Sequence, residues 1–368
     1  MKVETSRKIK DNVILILWVI ILAAVFSFLF NRQAIAYNES YLSDFQTEIG
    51  TALGGGTLSL LDLMIRSVFS ATGNSLYCVA LMEGFMVSLA LLFVTNIPAP
   101  FFGRYYAGSI IAQPWHNISY SAMRLFAVCA MFFWGELYRI FNEEKRIDWK
   151  NWILTCLMIF FATLMKPGFV MAFGAGLLII LLAALIRKGN KISNIVLLGC
   201  MVLPSLVLLI IQYVHLKHLD SAYGIRIAAS IFFFQENPRA FVMKFITGLF
   251  LAVLVLWYNR KNLRKDMAFV YICYGTGLLE AMFLMESGDR ATLGSFLWGM
   301  QVFAYFLYLF MAPVFIGNFR DYLKGRDKEK PALWKTGCIF LGTVLLVLHV
   351  FIGLRYYSAL LRGVSYYI

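Results

Sequence analysis

Phe169-Val-Met-Ala-Phe-Gly-Ala-Gly-Leu-Leu-Ile-Ile-Leu-Leu-Ala-Ala-Leu-Ile-Arg187 runs without an acidic side chain and ends against Arg187-Lys-Gly-Asn-Lys191. About 20 residues at 1.5 Å each cross the hydrocarbon of a bilayer, so a run of this length and apolarity predicts a membrane-spanning helix. The basic block that follows predicts a cytoplasmic end, because short inner loops collect Lys and Arg. Working outward, the same pattern recurs. Spans are expected at about 12–30, 76–97, 119–141, 150–165, 194–214, 241–258, 267–285, 295–317 and 335–354. Residues 58–72 are apolar but carry Asp62 and Arg66, which reads as an interfacial or re-entrant helix.

Composition leaves no other class. Of 368 residues, 61% are hydrophobic and only 14% are charged, and mean hydropathy is +0.74. A soluble domain averages about 25% charge. A closed barrel would show alternation, which is absent. Backbone groups in lipid must then pair within each segment, giving an all-α polytopic bundle of about 10–11 membrane segments. The net charge of +13 does not point to nucleic acid. Its Lys and Arg sit in short loops, expected on the cytoplasmic side at 142–150, 188–192, 259–266 and 318–333. The six cysteines show neither zinc-ligand nor disulfide spacing and read as packing residues.

One transmembrane domain is expected over 1–368, with the N-terminus inside and the C-terminus outside. The basic start and Ala34-Ile-Ala36 resemble a cleavable signal, but the first apolar run exceeds a 7–15-residue signal core, so an uncleaved anchor is expected. Exterior loops fall at 31–74, 98–118, 215–240 and 286–292. Three spans before residue 143 would leave Glu143-Glu-Lys-Arg146 outside, against the charge rule. Either 58–72 dips or crosses, or 67–102 makes two short spans.

Charges at membrane depth are costly and mark candidate sites: Asp62, Glu83, Glu136, Lys166, Glu280, Glu286 and Arg290. Glu136 lies near a cytoplasmic end and can reach water; Glu83 and Glu280 fit helix-packing hydrogen bonds equally well. The alternation of spans brings a more telling set to one exterior face. It comprises Asp44 and Glu48 in the first loop, then Gln113-Pro-Trp115-His116-Asn117, Lys166, and Glu286-Ser-Gly-Asp-Arg290. Asp44 suits a general base on an acceptor hydroxyl, with Glu48 beside it as a second catalytic candidate. Lys166, Arg124 and Arg290 suit a phosphate or pyrophosphate leaving group. Trp115 and Trp298 offer faces for a sugar ring or an isoprenoid tail. Each residue also has a plain structural reading: Glu286 and Arg290, four apart, form an ion pair; Lys166 before Pro167 marks a helix break; His116 is an ordinary loop residue.

Several short motifs occur in order: Tyr41-x-x-Asp44, Gln113-Pro-Trp-His-Asn117 followed by Tyr120 and Arg124, Lys166-Pro-Gly-Phe169, and Glu286-x-Gly-x-Arg290 with Gly294-Ser-Phe296-x-Trp298. Together they resemble a group of bacterial integral membrane proteins from Gram-positive lineages that accompany cell-surface polysaccharide genes. That group is similar to the GT-C superfamily of lipid-phosphate-sugar glycosyltransferases. The resemblance implies an acidic catalytic residue in the first exterior loop, where Asp44 stands, a polyprenyl-phosphate-linked sugar as donor, a glycan or lipid-linked acceptor, and the bacterial plasma membrane as location. It implies no soluble cofactor and leaves open a divalent metal ion. The chain departs from the pattern where Glu48 replaces an expected histidine and Thr292-Leu-Gly-Ser-Phe296 replaces a His-Gly-Asn-Phe run. Two other readings share the composition. An O-antigen-type polymerase or ligase would rely on Arg226, Arg239 and Arg290. A transporter or flippase would use Glu83, Glu280 and the break at Lys166-Pro167, although no internal repeat supports it.

Overall fold

The computed structural model describes residues 44–54, 58–81 apart from 76 and 79, 118–187, 191–229, 249–288, 295–325 and 333–361, with a few helical positions between 17 and 28. The helices are α1 (Asp44–Leu53), α2 (Leu60–Thr72), α3 (Ile118–Asn142), α4 (Trp149–Met165), α5 (Gly168–Arg187), α6 (Ile192–Cys200), α7 (Leu203–Leu219), α8 (Leu249–Tyr258), α9 (Lys265–Phe283), α10 (Leu297–Leu323) and α11 (Leu333–Leu361). Two short strands, β1 (Gly224–Ile227) and β2 (Leu284–Ser287), follow α7 and α9.

Three described helices are long and apolar enough to cross a membrane: Gly168–Arg187, Leu297–Leu323, and Ile192–Leu219, which joins α6 to α7. The chain is a membrane protein on this criterion. Met201 and Val202 form a turn between α6 and α7, and Pro204 enters the first turn of α7, where its missing N–H costs nothing. α5 divides cleanly into two faces. Phe169, Phe173, Leu177, Leu181 and Ala184 are buried, while Leu178, Leu182, Leu185 and Ile186 are exposed. Exposed aliphatic side chains on that scale fit hydrocarbon solvent rather than water. α10 is apolar around its whole circumference and is buried from Met300 to Leu309, as a central helix requires.

Glycines set how closely the central helices approach. A Cβ added to Gly168 would lie 2.7 Å from the Trp298 Cβ and 2.9 Å from the Gly299 nitrogen. One added to Gly277 would lie 2.8 Å from the Met300 nitrogen, and one on Gly176 would strike Cys273. Gly168, Ala172 and Gly176 recur every four residues, so one small-residue stripe of α5 meets α9 and α10. The Thr276 hydroxyl donates to the Ala172 carbonyl at 3.0 Å across this contact. Beneath it, Phe169 stacks on Phe303 at 5.5 Å, and Trp134 packs against Phe173 and Phe269.

The chain directions give the bundle two unlike ends. α3 and α10 begin, and α4 and α9 finish, at the end that carries Lys166 and β2. At the other end, Asn194 donates to the Lys145 carbonyl at 2.9 Å and Trp152 to the Leu197 carbonyl at 2.8 Å. Lys145, Arg146, Arg187, Lys191, Arg260, Lys261 and Arg264 cluster there, as the loop charges predict. Glu136 is exposed at this end and pairs with Arg139.

The structure differs from the sequence expectations at the cavity-bearing end. The stretch expected to be the first exterior loop contains a helix from Asp44, because Phe45, Ile49 and Ala52 repeat at helical spacing and Ile49 and Ala52 find cover. An acidic residue at the first position also suits the helix dipole. Residues 60–72 are helical as expected; at 13 residues, roughly 20 Å, α2 is too short to cross. The Ser59 hydroxyl caps it, accepting from the Asp62 N–H at 3.0 Å. The all-α expectation is amended by β1 and β2, which pair antiparallel with Ile225 opposite Glu286 and Arg226 opposite Met285. Gly288 closes this pair at φ +73°, and a Cβ there would overlap the Asp220 carboxylate.

Gly168→Ala and Gly277→Ala are each expected to destabilise the folded protein by about 1–3 kcal/mol through overpacking. Gly174→Ala, on the same α5 but with nothing within 4 Å of the new Cβ, should change little. Thermal unfolding in one detergent measures the contrast; equal melting temperatures for all three would refute the close crossing.

Candidate functional site

A cavity of about 390 Å³ opens at the end opposite the basic rim. Several separate parts of the chain build it, among them Ser119 of α3 and Tyr223 and Ile225 at β1. α1 contributes Thr51, and the start of α2 contributes Ser59 and Asp62. The break between α4 and α5 contributes Lys166 and Pro167, α7 contributes Gln212 and Tyr213, and the β2–α10 region contributes Glu286, Ser295 and Trp298. Met165, Met171, Leu209 and Leu216 supply an apolar floor.

Lys166 is placed by its backbone. It is extended between two helices (φ −162°, ψ 134°), which turns its side chain out of both helical stacks. Its ammonium lies 3.9 Å from the centre of the Trp298 ring and 3.3 Å from the Ser119 hydroxyl. A cation on an indole face keeps its charge at a lower desolvation cost than in hydrocarbon alone. Trp298 is backed in turn by Tyr120, with ring centres 5.0 Å apart. Arg124 is fully buried behind that wall, 5.5 Å from the Tyr120 ring and 4.8 Å from that of Tyr305.

Glu286 is buried on β2. The Tyr223 hydroxyl donates to its Oε1 at 3.1 Å, and the Ser295 hydroxyl donates to its Oε2. Two hydroxyl donors meet the demand that a buried carboxylate be hydrogen-bonded. Asp62 is also buried at the head of α2. Gln212 closes the side between α7 and α2, donating to the Leu58 carbonyl at 3.2 Å. The cavity thus presents an ammonium, two carboxylates, several hydroxyls and aromatic faces within an apolar shell. That combination suits a ligand with polar and apolar parts.

Of the residues singled out from sequence, the cavity gathers Asp62, Lys166, Glu286 and Trp298, with Lys166 and Glu286 120 positions apart. Arg124 lies behind the wall and reaches Trp298 through Tyr120. Asp44 and Glu48 belong to α1, the helix whose Thr51 lines the cavity. Gln113, Trp115, His116, Asn117 and Arg290 lie outside the described residues, as does Glu83. Glu280 does not line the cavity; its carboxylate lies 3.3 Å from where a Cβ on Gly299 would stand.

Sequence reasoning did not place Ser119, Gln212, Tyr213, Tyr223 and Ser295 in the site. Polar side chains near the ends of apolar runs were the available signal, and it is a weak one. Among the described residues no group of three or more His, Cys, Asp or Glu side chains gathers to hold a metal ion. No family model, no curated protein and no solved structure matches this chain.

Proposed function

We propose that the chain is a GT-C-like glycosyltransferase of the bacterial plasma membrane, with about 10–11 membrane segments, the N-terminus inside and the C-terminus outside. It moves a sugar from a polyprenyl-phosphate donor to a cell-envelope glycan or lipid-linked acceptor. The observation that supports this most is the meeting of Lys166, Glu286 and Trp298 with Asp62 in one cavity, at the end away from the basic rim. A donor with an isoprenoid tail, a phosphate and a sugar needs those three surroundings side by side: apolar wall, cation, and polar or aromatic sugar contacts.

In the proposed reaction a carboxylate takes the proton of the acceptor hydroxyl. The hydroxyl oxygen attacks the anomeric carbon, and the bond from that carbon to the phosphate oxygen breaks. The lipid phosphate leaves with the electron pair, next to the Lys166 ammonium. Glu286, already accepting from Tyr223 and Ser295, serves to orient the sugar. The base is a carboxylate of the α1–α2 region: Asp44, with Glu48 beside it, or Asp62 inside the cavity. Gln113, Trp115, His116, Asn117 and Arg290 are proposed to complete the binding surface.

Purified protein in vesicles, given a labelled polyprenyl-phosphate sugar and an acceptor, is expected to transfer label. Lys166→Gln and Glu286→Gln should each lower turnover, the former by about 100-fold if phosphate stabilisation matches that of a lost oxyanion donor. Label that crosses the bilayer without any new glycosidic bond would replace this reading with a flippase. A ladder of lengthened chains, instead of single-sugar addition, would favour a polymerase.

The identity of the base is tested in the same assay. Asp44→Asn should cost about 10²–10⁴-fold in turnover if Asp44 takes the proton. Full activity in Asp44→Asn with loss in Asp62→Asn moves the role to Asp62.

A further inference from the structure

The basic end carries a feature that sugar transfer does not use. α8 ends at Tyr258, and its last turns are closed by Asn259 N–H to the Val255 carbonyl at 3.1 Å and Arg260 N–H to the Trp257 carbonyl. α11 starts nearby at Leu333, and Tyr258 packs against Trp334 with ring centres 6.1 Å apart. Between them sits the Arg260 guanidinium. Its carbon lies 4.3 Å from the centre of the Trp257 ring and 5.9 Å from that of Trp334. Both indoles stay substantially exposed, at 52% and 41%.

Stacking uses the face of a guanidinium and leaves its N–H edge to bind an anion. Among the described residues no carboxylate pairs with Arg260; the neighbouring Asp266 is engaged by Arg264. Lys261 and Lys265 are exposed beside it. The patch therefore joins an available planar donor edge, further cations and two half-exposed indoles, at the level where helices leave the hydrocarbon. Tryptophans at that level sit among lipid headgroups, and basic clusters there attract anionic lipids.

We propose that Arg260, Trp257 and Trp334 form a binding site for the phosphate headgroup of an anionic membrane lipid at the basic end. The phosphate accepts from the Arg260 edge, Lys261 adds charge, and the indoles flank the upper acyl chain. The site is independent of the cavity and of sugar transfer.

Native mass spectrometry of the full chain in detergent, titrated with phosphatidylglycerol or phosphatidylcholine, tests it. Phosphatidylglycerol should bind the wild type in preference to phosphatidylcholine. Arg260→Gln, an exposed change, should weaken that binding about fivefold, as one juxtamembrane cation is worth. Trp334→Leu should weaken it less, and neither change should alter phosphatidylcholine binding. Equal phosphatidylglycerol affinity in wild type and Arg260→Gln overturns the proposal. So does displacement of the lipid by millimolar inorganic phosphate, which would mark a site for the free anion.

Discussion

At the crossing of α5 with α10, the Gly168 carbonyl oxygen lies 2.8 Å from where a Cβ on Gly299 would stand. Lipid tails are as apolar as leucine, so helices in a bilayer gain little from burying apolar faces against each other; close van der Waals contact and interhelical hydrogen bonds decide their association. Here that contact includes a third helix, since Gly277 of α9 meets the backbone of Gly299 and Met300. The consequence for the cavity is direct. Gly168 is two residues from Lys166, and Gly299 follows Trp298. Holding the two glycines in backbone contact brings the ammonium and the indole to 3.9 Å. The packing constraint and the site geometry are one fact seen from two sides.

The three long apolar helices were legible because membrane solvent imposes length and apolarity on them. The helix over Gly168–Arg187 matches the apolar run at 169–187 almost residue for residue. The meeting of Lys166, Glu286 and Trp298 was legible too, although they are far apart in the chain: alternating spans bring every second loop to the same face. The strands were not. Four residues are too few to show a period of two, and what pairs Ile225 with Glu286 is the proximity of the ends of α7 and α9. Ser119 and Ser295 were missed for a related reason. A hydroxyl gains its role from the neighbour it meets, Lys166 in one case and Glu286 in the other, and no local pattern encodes that neighbour. α1 looks like a loop in the sequence because three carboxylates between 39 and 48 mask the short apolar stripe of Phe45, Ile49 and Ala52.

At the basic end, ion pairs engage Arg139 and Arg264 while Arg260 rests on indole faces. Arg139 lies between Glu136 and Glu143, and Arg264 pairs with Asp266, all in exposed or half-exposed positions. Such pairs add little stability where water screens them. At the cavity end aromatic faces meet the cations as well. Arg124, Tyr120, Trp298 and Lys166 form a row in which each cation rests on an aromatic face and the two middle rings touch. Replacing water by ring faces lowers the cost of keeping charge at that depth. The Lys166 ammonium lines the cavity from this row, on the Trp298 face and beside the Ser119 hydroxyl. The row also ties Lys166 to Arg124 through two rigid rings, so the position of the cavity cation depends on residues buried well behind the wall, and a change at Tyr120 acts on both charges at once.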